Sequence, residues 1–384
     1  MNSKHVLMIL ANPYRPDLRV KREASVLIKN GYQVTILCWD RQVELAPFET
    51  QDGIQLERIQ SVPTRYGAGP KQIIYTPRFW DKAIKRGLEI NPHIVHCHDL
   101  DTLYAGVQLK RKLGCKLIYD AHEDYPALMS LYLPGFMLQM LKFLESKLIK
   151  HADAVITASI AYAEKLIQLE KRSVTPIPNA QDLKLFDEVS DSEISLLRKA
   201  LHLEPDDLAI GYIGGFSRNR QLIPFIQASI MAPEIKFFLW GEGHQKAAVE
   251  KAVQGGQNIF YKGWLPPEQV PVTMKALDVI YYCLREDYPG ALFNAPNTLG
   301  HAMAAGRPLI ANQVGDLGRI VQNSGCGILI DPVSAESIRD ALQKLKDPAI
   351  RQEMGIAGNK QARSEFNWDF ISEKLLNIYR SLDF

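Results

Sequence analysis

The sequence predicts an α/β protein of two domains, each a parallel sheet covered by helices. Three observations lead there. The chain has 384 residues, two to three times the usual domain length of about 100–150 residues. Short apolar runs alternate with longer amphipathic segments from end to end, which is the β-α-β rhythm of a parallel sheet. Proline and polar residues interrupt that rhythm once, near 179–190.

Composition narrows the class. With 46% hydrophobic and 23% charged residues, the chain falls among ordinary globular proteins and outside disordered, collagenous and disulfide-framed ones. Forty-five basic residues against 43 acidic ones leave +2, so net charge does not indicate nucleic acid as a partner. The five cysteines, Cys38, Cys97, Cys115, Cys283 and Cys326, are scattered with no CxxC spacing. That pattern suits a reducing compartment and neither a disulfide frame nor a zinc site, so the cytoplasm is the expected location. Val6–Leu10 is too short for a signal sequence core. The most apolar stretch, Ala127–Leu141, contains Pro134 and Gly135 and falls short of the ~20 residues that span a bilayer.

In order, VLMIL at Val6–Leu10 opens the first sheet and a helical stretch runs to Asn30-Gly31. Strands follow at Val34–Trp39, His93–His98, Lys116–Asp120 and Ala154–Thr157. After Pro176-Ile177-Pro178-Asn179 the rhythm restarts at Leu208–Gly215. It continues through Ile235–Trp240, Asn258–Gly263, Asp278–Cys283, Pro308–Asn312 and Gly327–Asp331. Each strand is followed by enough chain for a crossover helix, which implies parallel sheets. The expected domains are 1–185 and 186–364. Ligands of such sheets bind beyond the carboxyl ends of the strands, so the expected site lies in the cleft between the domains.

Four constellations follow strands. Ala121-His122-Glu123-Asp124 puts an imidazole beside carboxylates; His122 either positions a substrate oxygen or caps the next helix. His96-Cys97-His98-Asp99-Leu100-Asp101 contains metal-ligand types and a DxD triplet. On a strand, though, His96 and His98 share a face that Cys97 leaves, and Asp99 suits a helix cap. No metal site is expected. Gly214-Gly215-Phe216-Ser217-Arg218-Asn219-Arg220 is a glycine turn ahead of a helical segment; it offers backbone N–H groups and a guanidinium to an anion, or is a tight turn with solvated arginines. Phe293–Gly306 contains Pro296, suited to a first helical turn, and Gly306, suited to an end. Asn297 and His301 then share a face beside the open N–H groups of residues 297–300. A dehydrogenase is disfavoured, because Ala11-Asn12-Pro13-Tyr14 stands where GxGxxG would follow the first strand.

Taken in order, these segments resemble the GT-B glycosyltransferases, and within them glycosyltransferase family 4 (group 1). The resemblance covers nearly the whole chain. It is carried by Asp17–Ala24, His93–His98, Tyr119–Glu123, Ile177-Pro178-Asn179, Tyr212–Gly215, Trp240-Gly241-Glu242-Gly243, Pro296-Asn297, Ala302–Pro308 and Phe366-Asn367-Trp368. It implies two Rossmann-like domains facing a cleft, the first on the acceptor side and the second holding a nucleoside diphosphate sugar. A last helix, about 365–384, is expected to cross back to the first domain through Phe370, Ile371, Leu375, Leu376, Ile378 and Tyr379.

By resemblance, His122 is the catalytic residue, the N-domain histidine beside the donor sugar, with Arg19 and Glu123 on the acceptor side. Gly215, Arg220, Glu242, Asn297, Leu299, Gly300 and His301 fall in the donor-binding segments. The sequence also departs from the family. Phe293 and His301 occupy the columns of the E-x7-E glutamates, Gly215 that of a phosphate-binding arginine, and Thr298 that of a lysine. These departures bear on donor affinity and turnover rather than on fold. The implied activity is hexosyl transfer with retention of configuration, in bacterial polysaccharide or glycolipid assembly, without a cofactor. The alternative is a degenerate relative that binds a nucleotide, glycan or protein. The acceptor is a glycan, soluble or lipid-linked. The apolar, lysine-bearing segment Ala127–Lys150 is either a helix buried on its sheet or a surface touching anionic membrane at its inner face.

Overall fold

The computed structural model of the chain describes residues 3–15, 17–64, 72–130 and 133–382. It divides into two compact units, Met1–Pro178 with Ser372–Phe384, and Asn179–Ile371.

The first unit is built on β1 (His5–Leu10), β2 (Gln33–Trp39), β3 (Phe48–Gln51), β4 (Ile54–Ile59), β5 (Ile94–His98), β6 (Lys116–Ala121), β7 (Ala154–Thr157) and β8 (Thr175–Pro176). They form one eight-stranded sheet in the order β3-β4-β2-β1-β5-β6-β7-β8. Its central strands read as unbroken apolar runs because helices cover both faces: Val6, Leu7, Met8 and Ile9 are wholly buried. One strand departs from the expected parallel sheet. β3 runs antiparallel to β4 around Asp52-Gly53, whose φ values of 52° and 83° make the mirror-image two-residue turn that suits strand twist. That Asp-Gly pair was the available sequence signal for both strands of the hairpin.

The second unit is built on β9 (Ala209–Ile213), β10 (Lys236–Trp240), β11 (Ile259–Tyr261), β12 (Val279–Tyr282), β13 (Leu309–Asn312) and β14 (Gly327–Ile330). Its sheet is parallel throughout, in the order β11-β10-β9-β12-β13-β14. In each unit the chain winds outward from its first strand in both directions. The crevices at the carboxyl ends therefore open between β1 and β5 and between β9 and β12.

The expected boundary at 185/186 lies inside the second unit. Gln181 N donates to Phe366 O at 2.9 Å and Trp368 N to Gln181 O at 3.0 Å, which ties the segment after Pro178 into that unit. The last helix, Trp368–Ser381, starts in the second unit and ends in the first. There Tyr379 is buried and its hydroxyl lies 2.7 Å from His96 Nδ1. Of the expected apolar stripe, Phe370 is 46% exposed. Ala127–Lys150 overlaps the end of the helix Tyr125–Met129 and contains the helix Gly135–Leu148; Leu131 and Tyr132 lie outside the described residues. Among the described residues no helix is long and apolar enough to cross a membrane.

Candidate functional site

At the β1/β5 crevice of the first unit, the helix Leu18–Lys29 starts at Asp17, whose carboxylate accepts from Val20 N. That cap fixes the first turn, and with it Arg19 and Glu23, which share a face four residues apart. Arg19 grips Asp120 at the end of β6 with two bonds, Nε to Oδ2 at 3.0 Å and Nη2 to Oδ1 at 2.9 Å. Its Nη1 donates to Ile177 O at 2.7 Å, and Glu23 Oε1 lies 3.2 Å from Nε. Arg19, expected on the acceptor side, thus spends its donors inside its own unit and positions Asp120.

Asp120 in turn sits 3.2 Å from His122 Nε2, and His98 Nδ1 lies 3.0 Å from the same nitrogen. His96 and His98 stack at 4.3 Å on one face of β5, while Cys97 contacts Thr102 O. Asp99 stands at the cap position of the helix Leu100–Leu113 but makes no side-chain cap bond. Its backbone adopts φ 64°, ψ 165°, a region that non-glycine residues enter at a cost of about 1–3 kcal/mol. The turned carboxylate accepts from His122 N at 3.1 Å and lies 3.5 Å from Nδ1. His122 is therefore held between two carboxylates.

The charges follow from that geometry. Burial opposes ionisation of Asp120, yet Arg19 and His122 hold its carboxyl well below the usual range. Burial alone would lower the His122 pKa, but Asp99 and Asp120 raise it to about 10, so the ring is an imidazolium at neutral pH. Burial pushes Asp99 up to about 7, against the pull of His122. Burial also raises Glu23. Glu23, His96, His98 and Asp120 bring metal-ligand types within 4.8 Å of one another. The cation that reaches both carboxylates is the Arg19 guanidinium.

At the β9/β12 crevice of the second unit, the glycine turn after β9 meets the helix Asn297–Ala305. Thr298 is buried and donates from Oγ1 to Ile213 O at 3.0 Å, so its side chain serves the sheet. Pro296 caps that helix without a side-chain bond, leaving the first-turn N–H groups as an anion site. The approach is fixed by Asn179, whose Nδ2 donates to Ala295 O at 2.9 Å. Arg220 lies with its guanidinium carbon 4.9 Å from the centre of the Tyr282 ring, and Tyr282 OH is 3.3 Å from Asn294 Oδ1. Arg220 and the helix start are thus linked through one aromatic ring.

The other donor-segment residues separate. A side chain at Gly215 would meet nothing within 4 Å. At Gly241, φ is +154° and a Cβ would lie 1.9 Å from Gly214 O, so glycine is required for the two strand-end loops to touch. Glu242 accepts from Lys246 Nζ at 2.9 Å, at the start of the next helix, and from Tyr261 OH at 3.0 Å, at the end of β11. Asn297 is exposed, Leu299 and Gly300 are buried, and only their backbone N–H groups can serve a ligand. His301 is half-buried with its ring 6.1 Å from Phe186. Glu123 is half-buried beside His122.

Two family profiles match the chain: Glycosyltransferase Family 4 over residues 19–185 and Glycosyl transferases group 1 over residues 207–347. The chain belongs to the family 4, group 1 glycosyltransferases of the GT-B fold. It is 22% identical over 311 residues to an alpha-maltose-1-phosphate synthase of Mycolicibacterium smegmatis, covering 75% of this chain and 79% of that one. Among solved structures, a sucrose-phosphate synthase from Thermosynechococcus elongatus superposes with a TM-score of 0.84 at 20% identity, covering 99% of both chains. Anabaena HepE in complex with UDP-glucose gives 0.74 at 17% identity, covering 98% of this chain and 99% of that one. Glycosyl transfer is the activity these family members share.

Part of this cluster was not legible in the sequence. Asp120 and Glu23 carry no reading of their own there, Tyr379 is read as part of an apolar stripe and His96 as sharing a strand face with His98; contacts distant along the chain bring the four together. Tyr282 reads as a strand residue until Arg220 lies on its ring. Trp264, 62% exposed, follows β11 at the same sheet edge as the glycine turn. An exposed tryptophan is uncommon enough to have drawn notice.

Proposed function

We propose that this glycosyltransferase moves a hexosyl group from a nucleoside diphosphate sugar to an acceptor hydroxyl with retention of configuration, and without a metal or other cofactor. The observation that carries the reading is the meeting of Arg220, the glycine turn and the open start of the helix Asn297–Ala305 at one switch point. Together they offer a guanidinium and a row of backbone N–H groups to a diphosphate. HepE, which shares the fold, holds UDP-glucose, which supports a nucleotide sugar as donor.

In the proposed reaction the bond between the sugar's anomeric carbon and the diphosphate oxygen breaks as the acceptor oxygen bonds to that carbon from the same side. The acceptor proton passes to the departing phosphate oxygen. Arg220 and the helix start meet the charge that grows on the diphosphate. His122, charged at neutral pH with its ring nitrogens facing Asp120 and Asp99, is no base. A double displacement lacks a nucleophile in the described cluster, since Asp120 is locked by Arg19 and Glu23 is buried behind it. The test is release of nucleoside diphosphate from a panel of UDP-, GDP-, ADP- and dTDP-sugars, in the presence of a chelator, with the product anomer read by proton NMR. Turnover of at least one donor with retention is expected. Binding without turnover across the panel, with glycan acceptors supplied, would favour the second reading, a binding module. That reading is motivated by Phe293, His301, Gly215 and Thr298.

For the acceptor we propose a glycan presented at an anionic membrane, in polysaccharide or glycolipid assembly at the cytoplasmic face. On the helix Gly135–Leu148, Phe136, Met140 and Phe143 are 68%, 66% and 65% exposed at helical spacing. Lys147 Nζ stands 5.2 Å over the Phe143 ring, so apolar and basic groups share a face. Sedimentation with phosphatidylglycerol vesicles at low salt should carry the protein down, and Phe136→Ser with Phe143→Ser should leave it in the supernatant. Wild-type protein remaining wholly in the supernatant would remove the membrane proposal alone.

A further inference from the structure

At the opposite edge of the second sheet from the donor segments, a cavity of about 850 Å³ lies between the helix Pro348–Glu365 and the chain at Gly306-Arg307-Pro308. Asp278 and Pro308, which line it, immediately precede β12 and β13. The glycine turn and Leu284, by contrast, follow β9 and β12. The length of the strands therefore separates the two places, and the cavity belongs wholly to the second unit.

Four cations line it, Arg307, Arg351, Lys360 and Arg363, against one carboxylate, Asp278. That carboxylate is already engaged: its Oδ2 accepts from Ala209 N at 2.8 Å and lies 3.2 Å from Arg198 Nη1. Arg363 pairs with Asp187. The arginines beside it are fixed by carbonyls that leave their charge uncancelled. Arg351 Nη1 donates to Leu345 O at 2.6 Å and Lys346 O at 2.9 Å, and Arg307 Nη2 donates to Lys275 O. Among the described residues no ion pair joins Arg307, Arg351 or Lys360. Arg307 Nε is buried with no hydrogen-bond partner. Burial lowers the Arg307 pKa against the pull of Asp278, and Arg198 and Arg351 add like charge. A half-buried guanidinium with an unmet N–H among like charges is costly unless an anion completes it.

We propose that this cavity is a second ligand site, which binds the phosphate group of a small phosphate ester such as a sugar phosphate or a nucleoside monophosphate. The arginines are already ordered, so less side-chain freedom is lost on binding. Pro308, Pro348 and Ile356 provide apolar wall for the organic part, and the volume is that of an ordinary small-molecule site.

The test is calorimetry on the full chain carrying Arg220→Gln, which removes the proposed donor-site cation so that the two sites are read separately. Inorganic phosphate, glucose 6-phosphate and AMP are titrated, with glucose as the uncharged control. At least one ester should bind with one-to-one stoichiometry and at least tenfold more tightly than inorganic phosphate. Binding should fall at least tenfold in Lys360→Glu, an exposed position on the helix that does not threaten folding, and likewise in Arg351→Gln. No binding by any of the three phosphates would overturn the proposal. So would binding that survives both substitutions, or inorganic phosphate binding as tightly as both esters. Failure of the donor reading would leave this result unaffected.

Discussion

The switch point of the first sheet holds its charges in a closed network, Arg19 on Asp120, Asp120 and Asp99 on His122. That of the second sheet relies on one guanidinium and on backbone. Gly215, Thr298 and His301 stand where the family resemblance leads one to expect an arginine, a lysine and a glutamate. Thr298 has turned to the sheet and Gly215 faces open space. The difference separates two tasks. Positioning of the histidine is fully built, whereas the second switch point holds few fixed charges of its own.

The largest effect should come from opening the closed network. Asp120→Ala strands the Arg19 guanidinium and His122 among buried groups, and unfolding in denaturant should show a loss of about 3–5 kcal/mol. A change below about 1 kcal/mol would mean that the network is not held as described.

Next, His122→Gln should lower turnover about 10²–10³-fold. It should also alter the pH dependence of stability. The folded pKa of about 10 lies above the unfolded value of about 6.5. The His122 contribution is therefore complete below about pH 6.5 and is lost as pH rises towards 10. Wild-type unfolding free energy should fall over that window, and the variant should lack this part of the slope. Equal slopes would show that His122 is not the imidazolium.

The smallest expected effect sharpens the other side. Gly215 has space for a side chain and no left-handed φ, so Gly215→Arg should add a cation to the proposed diphosphate site and tighten nucleoside diphosphate binding about tenfold. Calorimetry reads this directly, and unchanged affinity would mean that the turn does not face the phosphates.

These two regions also differ in how far the sequence revealed them. Apolar runs at regular spacing disclosed both sheets, because strands buried on two faces tolerate little else. The β3–β4 hairpin escaped because its residues are half polar and its signal was a single Asp-Gly pair. The glycine turn and the helix start at the second switch point were legible because they lie in contiguous stretches of backbone. The histidine network was not. Asp99 reads as a helix cap, and only the fold shows that its strained backbone turns the carboxylate onto His122 instead. Asp120 and Tyr379 owe their roles to neighbours about a hundred residues or more away in the chain.

In the proposed function, Arg220 and the start of the helix Asn297–Ala305 hold a diphosphate. Titrating UDP against UMP, and GDP against GMP, into wild type and Arg220→Gln tests it most directly. For the nucleoside the enzyme accepts, the diphosphate should bind wild type at least about tenfold more tightly than the monophosphate, as expected for one charge-assisted contact, and that advantage should disappear in Arg220→Gln. Equal affinity of diphosphate and monophosphate for the wild-type protein would contradict it.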